Sequence, residues 1–227
     1  MSIDPLAMEY VYNSPYAFQE NKIGLGRELE GLEMVSERSK DGKSVTLTMK
    51  VNPVNKSINI NNDQFKTILA ARIKTTESAL SGSIGKGVTV NAKVVVDPKA
   101  TLIMEFNDAI NPDKVKTFGK SNSPEKVQNA VDSALGVVSE IGNTQVNTMQ
   151  VNVPRNLNFD DAGMPIIDAE NLNYISNTGT HEDLHGAGLD HVDDPQNRMN
   201  YENTGGTQLT EEQRKLIIDN VESQQPQ

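Results

Sequence analysis

All three histidines of this 227-residue chain lie within eleven positions. Together with a glutamate and a glycine they form the pattern His-Glu-x-x-His-x-x-Gly-x-x-His, at His181, Glu182, His185, Gly188 and His191. Five specified residues at fixed spacing, in a chain that uses no other histidine, are a specific signal. The motif predicts a helix, a sharp turn and a return of the chain toward that helix.

The spacing predicts a metal site with an open position. Residues four apart lie above one another on one helix face, so His181 and His185 can direct both imidazoles at one ion. Glycine tolerates positive φ, so Gly188 can end the helix and bring His191 back as a third ligand. Three protein ligands leave a fourth position for water, as in catalytic zinc sites. Glu182 is then placed to take a proton from that water and deliver it to a leaving amine.

The absence of cysteine limits the kind of site. A cysteine-based structural zinc site is excluded, and so is a disulfide framework. Metals other than zinc also fit three imidazoles, so the histidines alone leave the metal open.

Residues 181 to 201 resemble the metzincin zinc metallopeptidases, in particular the matrixin type. The resemblance implies that the metal is one catalytic Zn²⁺ ion and that Met199 is the methionine of the turn beneath it. It also implies that Tyr201 lies near the metal as a switchable ligand or an oxyanion donor. Metzincins usually carry an apolar residue and then a small one where this chain has Asp183 and Leu184. The packing of the helix is therefore expected to differ from the family pattern.

A second resemblance lies at the other end of the chain. Residues 4 to 10 and 14 to 21 are similar to the closing segment of the RHS-repeat core of bacterial polymorphic toxins, over about residues 3 to 33. In that family the repeats form a shell around a variable C-terminal toxin domain. The resemblance thus implies an RHS shell and a cognate immunity protein as partners. An ordinary N-terminal arm is the alternative.

Many RHS proteins cut themselves at the end of the core, beside an Asp-Pro-x-Gly-Leu pattern. Gly31 and Leu32 match the end of that pattern, whereas the Asp-Pro is missing. Self-cleavage near Leu32 is therefore a hypothesis.

Charge and hydropathy exclude some partners. The chain has 31 acidic and 21 basic side chains, for a formal net charge of −10, which opposes binding to nucleic acid. Neither a secretory signal nor a membrane span is recognisable in the sequence. We therefore expect a bacterial effector that is secreted or delivered on a larger RHS protein.

The hydrophobic pattern predicts an α/β (α+β) fold. Alternating apolar residues predict strands at 45–51, 88–96, 102–106 and 149–153. Helical spacing predicts a helix over 65–80, an inserted helix over 124–141 and a closing helix that begins with a capping box at Thr210. The resemblance adds the metzincin plan: a twisted sheet and backing helix above a cleft, with the zinc helix, Met-turn and C-terminal helix below. We divide the chain into the end of an RHS core (1–33), a linker (34–44) and a metallopeptidase domain (45–227).

The functional hypothesis is a zinc-dependent endopeptidase that acts on protein or peptide substrates as the toxin module of an RHS-type protein. Two alternatives stay open. A zinc-binding but inactive interaction domain would hold the metal without turnover, and a processing peptidase would cleave substrates without toxicity.

Overall fold

A computed structural model describes residues 33–114, 134–200 and 206–225. Residues 33 to 225 belong to one compact unit. Its elements, in chain order, are β1 Met34–Arg38, β2 Ser44–Asn55, α1 Asn62–Leu80, β3 Gly82–Ser83, β4 Thr89–Val96, β5 Leu102–Asn107, a 3₁₀ turn Pro112–Lys114, β6 Gly136–Val138, β7 Asn147–Asn152, α2 Val153–Asn156, α3 Ala169–Gly186 and α4 Glu211–Gln224. The fold is mixed α/β, as the sequence predicts.

The strands form one sheet in the order β3-β4-β2-β5-β7-β6, with β1 also paired to β2. Strands β4, β2, β5 and β7 are parallel to one another, whereas β1, β3 and β6 run antiparallel to their neighbours. The first part of β2 pairs with β1 and β4, and its last residues, Asn52–Asn55, pair with β5. The short antiparallel strand β6 therefore closes one end of the described sheet.

Helix α1 packs against α3 and covers the sheet. It begins with a capping box in which Asn61 and Gln64 satisfy each other's backbone N–H groups. The buried residues of α1 recur about every four positions and include Ile68, Arg72 and Thr76. A charged residue thus occupies the core-facing stripe that an amphipathic helix normally reserves for apolar side chains.

Helix α3 carries the histidine motif and is the most enclosed helix in the described chain. Asp168 caps its first turn, and every residue from Ile175 to Gly186 is buried. Helix α4 begins with the predicted capping box of Thr210 and Gln213 and buries Ile217, Ile218 and Val221. The histidine helix is therefore packed on several sides rather than lying on the surface.

Two sequence predictions need correction. Residues 34–38, predicted as part of a linker, form strand β1, because Met34 and Val35 are buried and the strand pairs with β2. The helix predicted over 124–141 is wrong at its C-terminal end, where Gly136–Val138 is strand β6 paired with β7. The apolar spacing there matches a helix, but pairing with β7 provides the backbone hydrogen bonds instead. The rest of that prediction lies mostly outside the described residues.

Among the described helices, none is both long enough and apolar enough to cross a membrane.

Candidate metal centre

Helix α3 presents His181 and His185 on one face, one turn apart. The Nδ1–H of His181 donates to the backbone carbonyl of Arg198 at 2.9 Å, and that of His185 donates to the carbonyl of Leu189 at 2.6 Å. A carbonyl oxygen can only accept, so each Nδ1 carries the proton and each Nε2 presents a lone pair. Both imidazoles are thus fixed in the form that binds a metal ion.

The Nε2 atoms of the three histidines converge around one point. They lie 3.0 Å apart for His181 and His191, 3.1 Å for His181 and His185, and 3.1 Å for His185 and His191. Converging lone pairs repel one another, and a cation at about 2.0–2.1 Å from each nitrogen would satisfy them together. The three histidines therefore could hold a metal ion, and their donor chemistry fits zinc.

A glycine turn returns the third histidine to this point. Helix α3 ends at Gly186, and Gly188 has φ of 106°, a conformation that other residues rarely adopt. The Nδ2 group of Asn220 in α4 donates to the carbonyls of Ala187 and Gly142 and so anchors the turn. The backbone N–H of Gly142 also donates to the carbonyl of His185 at the helix end.

Burial keeps two of these imidazoles neutral. Desolvation lowers the pKa of His181 from 6.5 to about 4 and that of His185 to about 3. For His181 the nearby charges of His191 and Arg198 lower the pKa further, against the opposing effect of its bond to the Arg198 carbonyl. The neutral form is the one that binds a metal.

Glu182, the next residue along the motif, lies beneath strand β6. A backbone hydrogen bond from Val138 reaches its carboxylate. A Cβ atom added to Gly136 would lie 2.8 Å from the Cγ atom of Glu182 and 3.0 Å from its Oε1 atom. The side chain therefore fits against β6 only because residue 136 is glycine.

Burial also raises the pKa of Glu182, from 4.5 to about 8, and the charge of Arg72 partly opposes the rise. A carboxyl group with such a pKa can exchange a proton near neutral pH.

The turn that contains Met199 contacts the motif through its backbone. Met199 is completely buried, and its carbonyl accepts from the N–H of Val192, directly after His191. The carbonyl of the preceding residue, Arg198, is the one that orients His181. Two other residues singled out from the sequence, Tyr201 and Leu32, lie outside the described residues, and their roles stay predictions.

Asp183, the departure from the metzincin pattern, has a specific partner. Its carboxylate accepts hydrogen bonds from Nη2 of Arg72 at 2.5 Å, from Nε of Arg72 at 3.2 Å and from the hydroxyl of Thr76 at 2.8 Å. The exposed fraction of the side chain is 0% for Arg72 and 1% for Asp183. Gly179 leaves the room for the guanidinium, since a Cβ atom there would lie 2.6 Å from the Arg72 side chain. Asp183 of α3 is thus paired with Arg72 of α1.

Sequence reasoning did not single out Arg72, Asn177 or Arg198. A signal for Arg72 was present, because an arginine in register with buried Ile68 and Thr76 requires a buried partner. Arg198 gave no comparable signal, since an arginine before a turn is ordinarily exposed.

Comparisons with solved structures find neighbours of low sequence identity. Neither a protein-family model nor a curated protein sequence matches this chain. Among solved structures, archaemetzincin from Methanopyrus kandleri is similar with a TM-score of 0.47 and 13% identity, over 77% of this chain and 96% of that one. Metalloproteinase-II from Bacteroides fragilis is similar with a TM-score of 0.44 and 10% identity, over 77% of this chain and 53% of that one. At such scores a function for this chain has to be inferred from the geometry of its own site.

Proposed function

We propose that this protein is a zinc-dependent endopeptidase. The observation that carries the proposal is the convergence of the His181, His185 and His191 Nε2 atoms to within 3.0–3.1 Å of one another, on a helix in which Glu182 directly follows the first of these histidines. A set of three imidazoles leaves one position for a reacting group, as catalytic zinc sites do. A zinc ion bound there would supply Lewis-acid chemistry, activating water as a nucleophile and polarising a carbonyl oxygen.

The residues of the chain supply proton transfer and orientation. The carboxylate of Glu182 takes the proton of the attacking water and later gives it to the amine that leaves. The hydrogen bond from Val138 holds this carboxylate against β6. The carbonyls of Arg198 and Leu189 hold two imidazoles in the required tautomer. Tyr201 is the predicted oxyanion donor.

The position of β6 supports a peptide as substrate. Strand β6 lies at one end of the described sheet, and pairs there only with β7. Exposed strand edges bind extended peptides as an added strand. Position 136 of β6 lies against the side chain of Glu182, so a peptide along this edge would pass close to that residue.

The test combines metal analysis with a peptide library. We expect the purified full chain to bind one zinc ion per molecule and to cleave internal bonds, as read by mass spectrometry. Glu182→Gln should keep zinc but lose turnover by about 10²–10⁴-fold, and His185→Gln should lose both. Glu170→Gln, an exposed carboxylate change on the same helix, is the matched control. A folded, zinc-loaded chain that cleaves no peptide would instead indicate an interaction domain.

We further propose that the peptidase is the C-terminal toxin module of an RHS-type protein, carried by the RHS shell and restrained by an immunity protein. The similarity of residues 3 to 33 to an RHS core end supports this role. Induced expression of the chain should arrest bacterial growth, and Glu182→Gln should abolish the arrest. Normal growth despite peptidase activity would favour a processing enzyme.

A further inference from the structure

Arg198 is a buried cation without a carboxylate partner among the described residues. Only 6% of the residue is exposed. Its Nη1 donates to the amide oxygen of Asn177, and its Nε is buried without any hydrogen-bond partner. Burying a charge is costly unless an opposite charge compensates it.

Arg72 provides the comparison within the same molecule. It is completely buried, and although its Nη1 also lacks a hydrogen-bond partner, Asp183 accepts hydrogen bonds from two of its nitrogens. The chain carries 31 acidic side chains against 21 basic ones, so acidic partners are in excess. Within residues 33–114, 134–200 and 206–225, the guanidinium of Arg198 nevertheless has a neutral amide as its one hydrogen-bond partner.

The unpaired guanidinium lies beside the metal centre. Asn177, His181 and His185 are spaced by four residues on α3, so they form one row along a single face of the helix. The side chain of Arg198 binds the first residue of this row, and its backbone carbonyl binds the second. Asn177, which binds the guanidinium, therefore lies about one helical turn, roughly 6 Å of rise, from the first histidine.

We propose that Arg198 binds a carboxylate of the peptide substrate and so makes this peptidase select acidic peptides. The inference rests on the proposed endopeptidase function and adds a substrate class to it. A guanidinium offers five N–H donors in a planar fork that matches a carboxylate, and Asn177 engages only one of its nitrogens. The carboxylate belongs to an aspartate or glutamate near the cleaved bond or to the C-terminus of the peptide.

Matched peptides test the preference without any mutation. Pairs of peptides differ either by Asp against Asn at one position beside the cleaved bond, or by a free against an amidated C-terminus. We expect one acidic member to be cleaved by the zinc-loaded full chain with a kcat/KM at least about tenfold higher than its neutral partner, as a charged hydrogen bond allows. The kind of peptide pair that shows the difference identifies whether the carboxylate comes from a side chain or from the C-terminus.

Binding and variants separate the two proposals. In the inactive variant Glu182→Gln, the fluorescence anisotropy of labelled peptides should show tighter binding of the same acidic peptide, without turnover. Adding Arg198→Gln should abolish the preference with zinc content retained, Arg198→Lys should keep part of it, and the exposed Arg155→Gln should keep all of it. Equal cleavage of acidic and neutral peptides, or a preference that survives Arg198→Gln, would overturn the role of Arg198. Absence of all cleavage would instead reject the endopeptidase.

Discussion

Arg72 and Asp183 form a completely buried ion pair that joins helix α1 to the histidine helix α3. Two nitrogens of the guanidinium reach the carboxylate, and Thr76 donates a third hydrogen bond to it. Asp183 stands between His181 and His185 in sequence, so the pair anchors the helix segment that carries both. The guanidinium also lies over the ring of Phe106, 5.4 Å from its centre, on strand β5.

Removing one member of this pair should cost far more than removing both. Arg72→Met leaves a buried carboxylate uncompensated, and Asp183→Leu leaves a buried guanidinium. We expect either change to lower the free energy of unfolding by about 3–5 kcal/mol. The double variant should recover much of the loss, because apolar side chains can replace a buried pair at little net cost. Urea unfolding in the absence of metal measures the free energy of unfolding of the two single variants and of the double variant.

Additive losses in the double variant would contradict this account of the pair. Zinc affinity measured on the same proteins shows whether the pair also aligns the histidines. The Arg38–Glu222 pair, whose side chains are 46% and 33% exposed, is the control: Arg38→Met should cost at most about 1 kcal/mol.

The metal centre was predictable from sequence because its geometry is local. His181 and His185 are one helical turn apart, and Gly188 marks the turn that returns His191, so spacing alone contains most of the site. Arg72 and Asp183 are 111 positions apart, and only the packing of α1 on α3 brings them together. Arg198 meets Asn177, 21 positions away, because the segment that contains Met199 contacts α3.

The fold was partly predictable. Alternation in β2 reflects burial of Val45, Leu47, Met49 and Val51, and this local pattern gave the strand correctly. Strand β6 has three residues and depends on pairing with β7, so its helical spacing was misleading. Strand β1 has a polar half, Ser36–Arg38, which made a paired strand resemble a linker.

The turn at Gly188 should matter for zinc binding and not only for stability. In Gly188→Ala, the new Cβ atom would meet Nδ2 of Asn220 at 2.8 Å, and the residue would keep a φ of 106°. Gly163→Ala is the matched control, since its φ is 75° but nothing lies within 4 Å. Both variants should lose about 1–3 kcal/mol of stability through backbone strain. Only Gly188→Ala should weaken zinc binding, because His191 follows three residues later.

Competition with a chelator measures the zinc dissociation constants of these two variants. Equal dissociation constants for Gly188→Ala and Gly163→Ala would show that the turn does not determine the position of the third histidine.

Gly136 should control turnover through Glu182. In Gly136→Ala the added Cβ atom would lie 2.8 Å from the Cγ atom of Glu182 and 3.0 Å from its Oε1 atom, so the buried side chain of Glu182 would have to shift. We expect zinc content to be unchanged and kcat to fall by up to about 10²-fold, as for a catalytic group misplaced by about 1 Å. Gly186→Ala, with its closest new contact at 3.5 Å, is the control. Unchanged kcat in Gly136→Ala would argue against the proposed role of Glu182.

The three buried ionisable residues His181, Glu182 and His185 should make the stability of the metal-free chain depend on pH in two opposite ways. His181 and His185 have pKa values lowered to about 4 and about 3, whereas the unfolded chain protonates its histidines near 6.5. Between these values the unfolded state binds more protons, so this contribution to the free energy of unfolding falls as the pH drops from 6.5 toward 4. Glu182 has a pKa raised to about 8, against 4.5 when unfolded. The folded state then holds the extra proton, so this contribution falls as the pH rises from 4.5 to 8.

Variants separate the two opposing effects. Urea unfolding at several pH values, after removal of metal by a chelator, should give a smaller loss below pH 6.5 for His185→Gln than for the unmodified chain. Glu182→Gln should instead give a smaller loss between pH 4.5 and pH 8. Each difference isolates one group from the many exposed carboxylates of the chain, because those are shared by both proteins. If neither variant changed the pH dependence, His185 and Glu182 would be exposed to solvent in solution, and the burial described above for these two residues would be wrong.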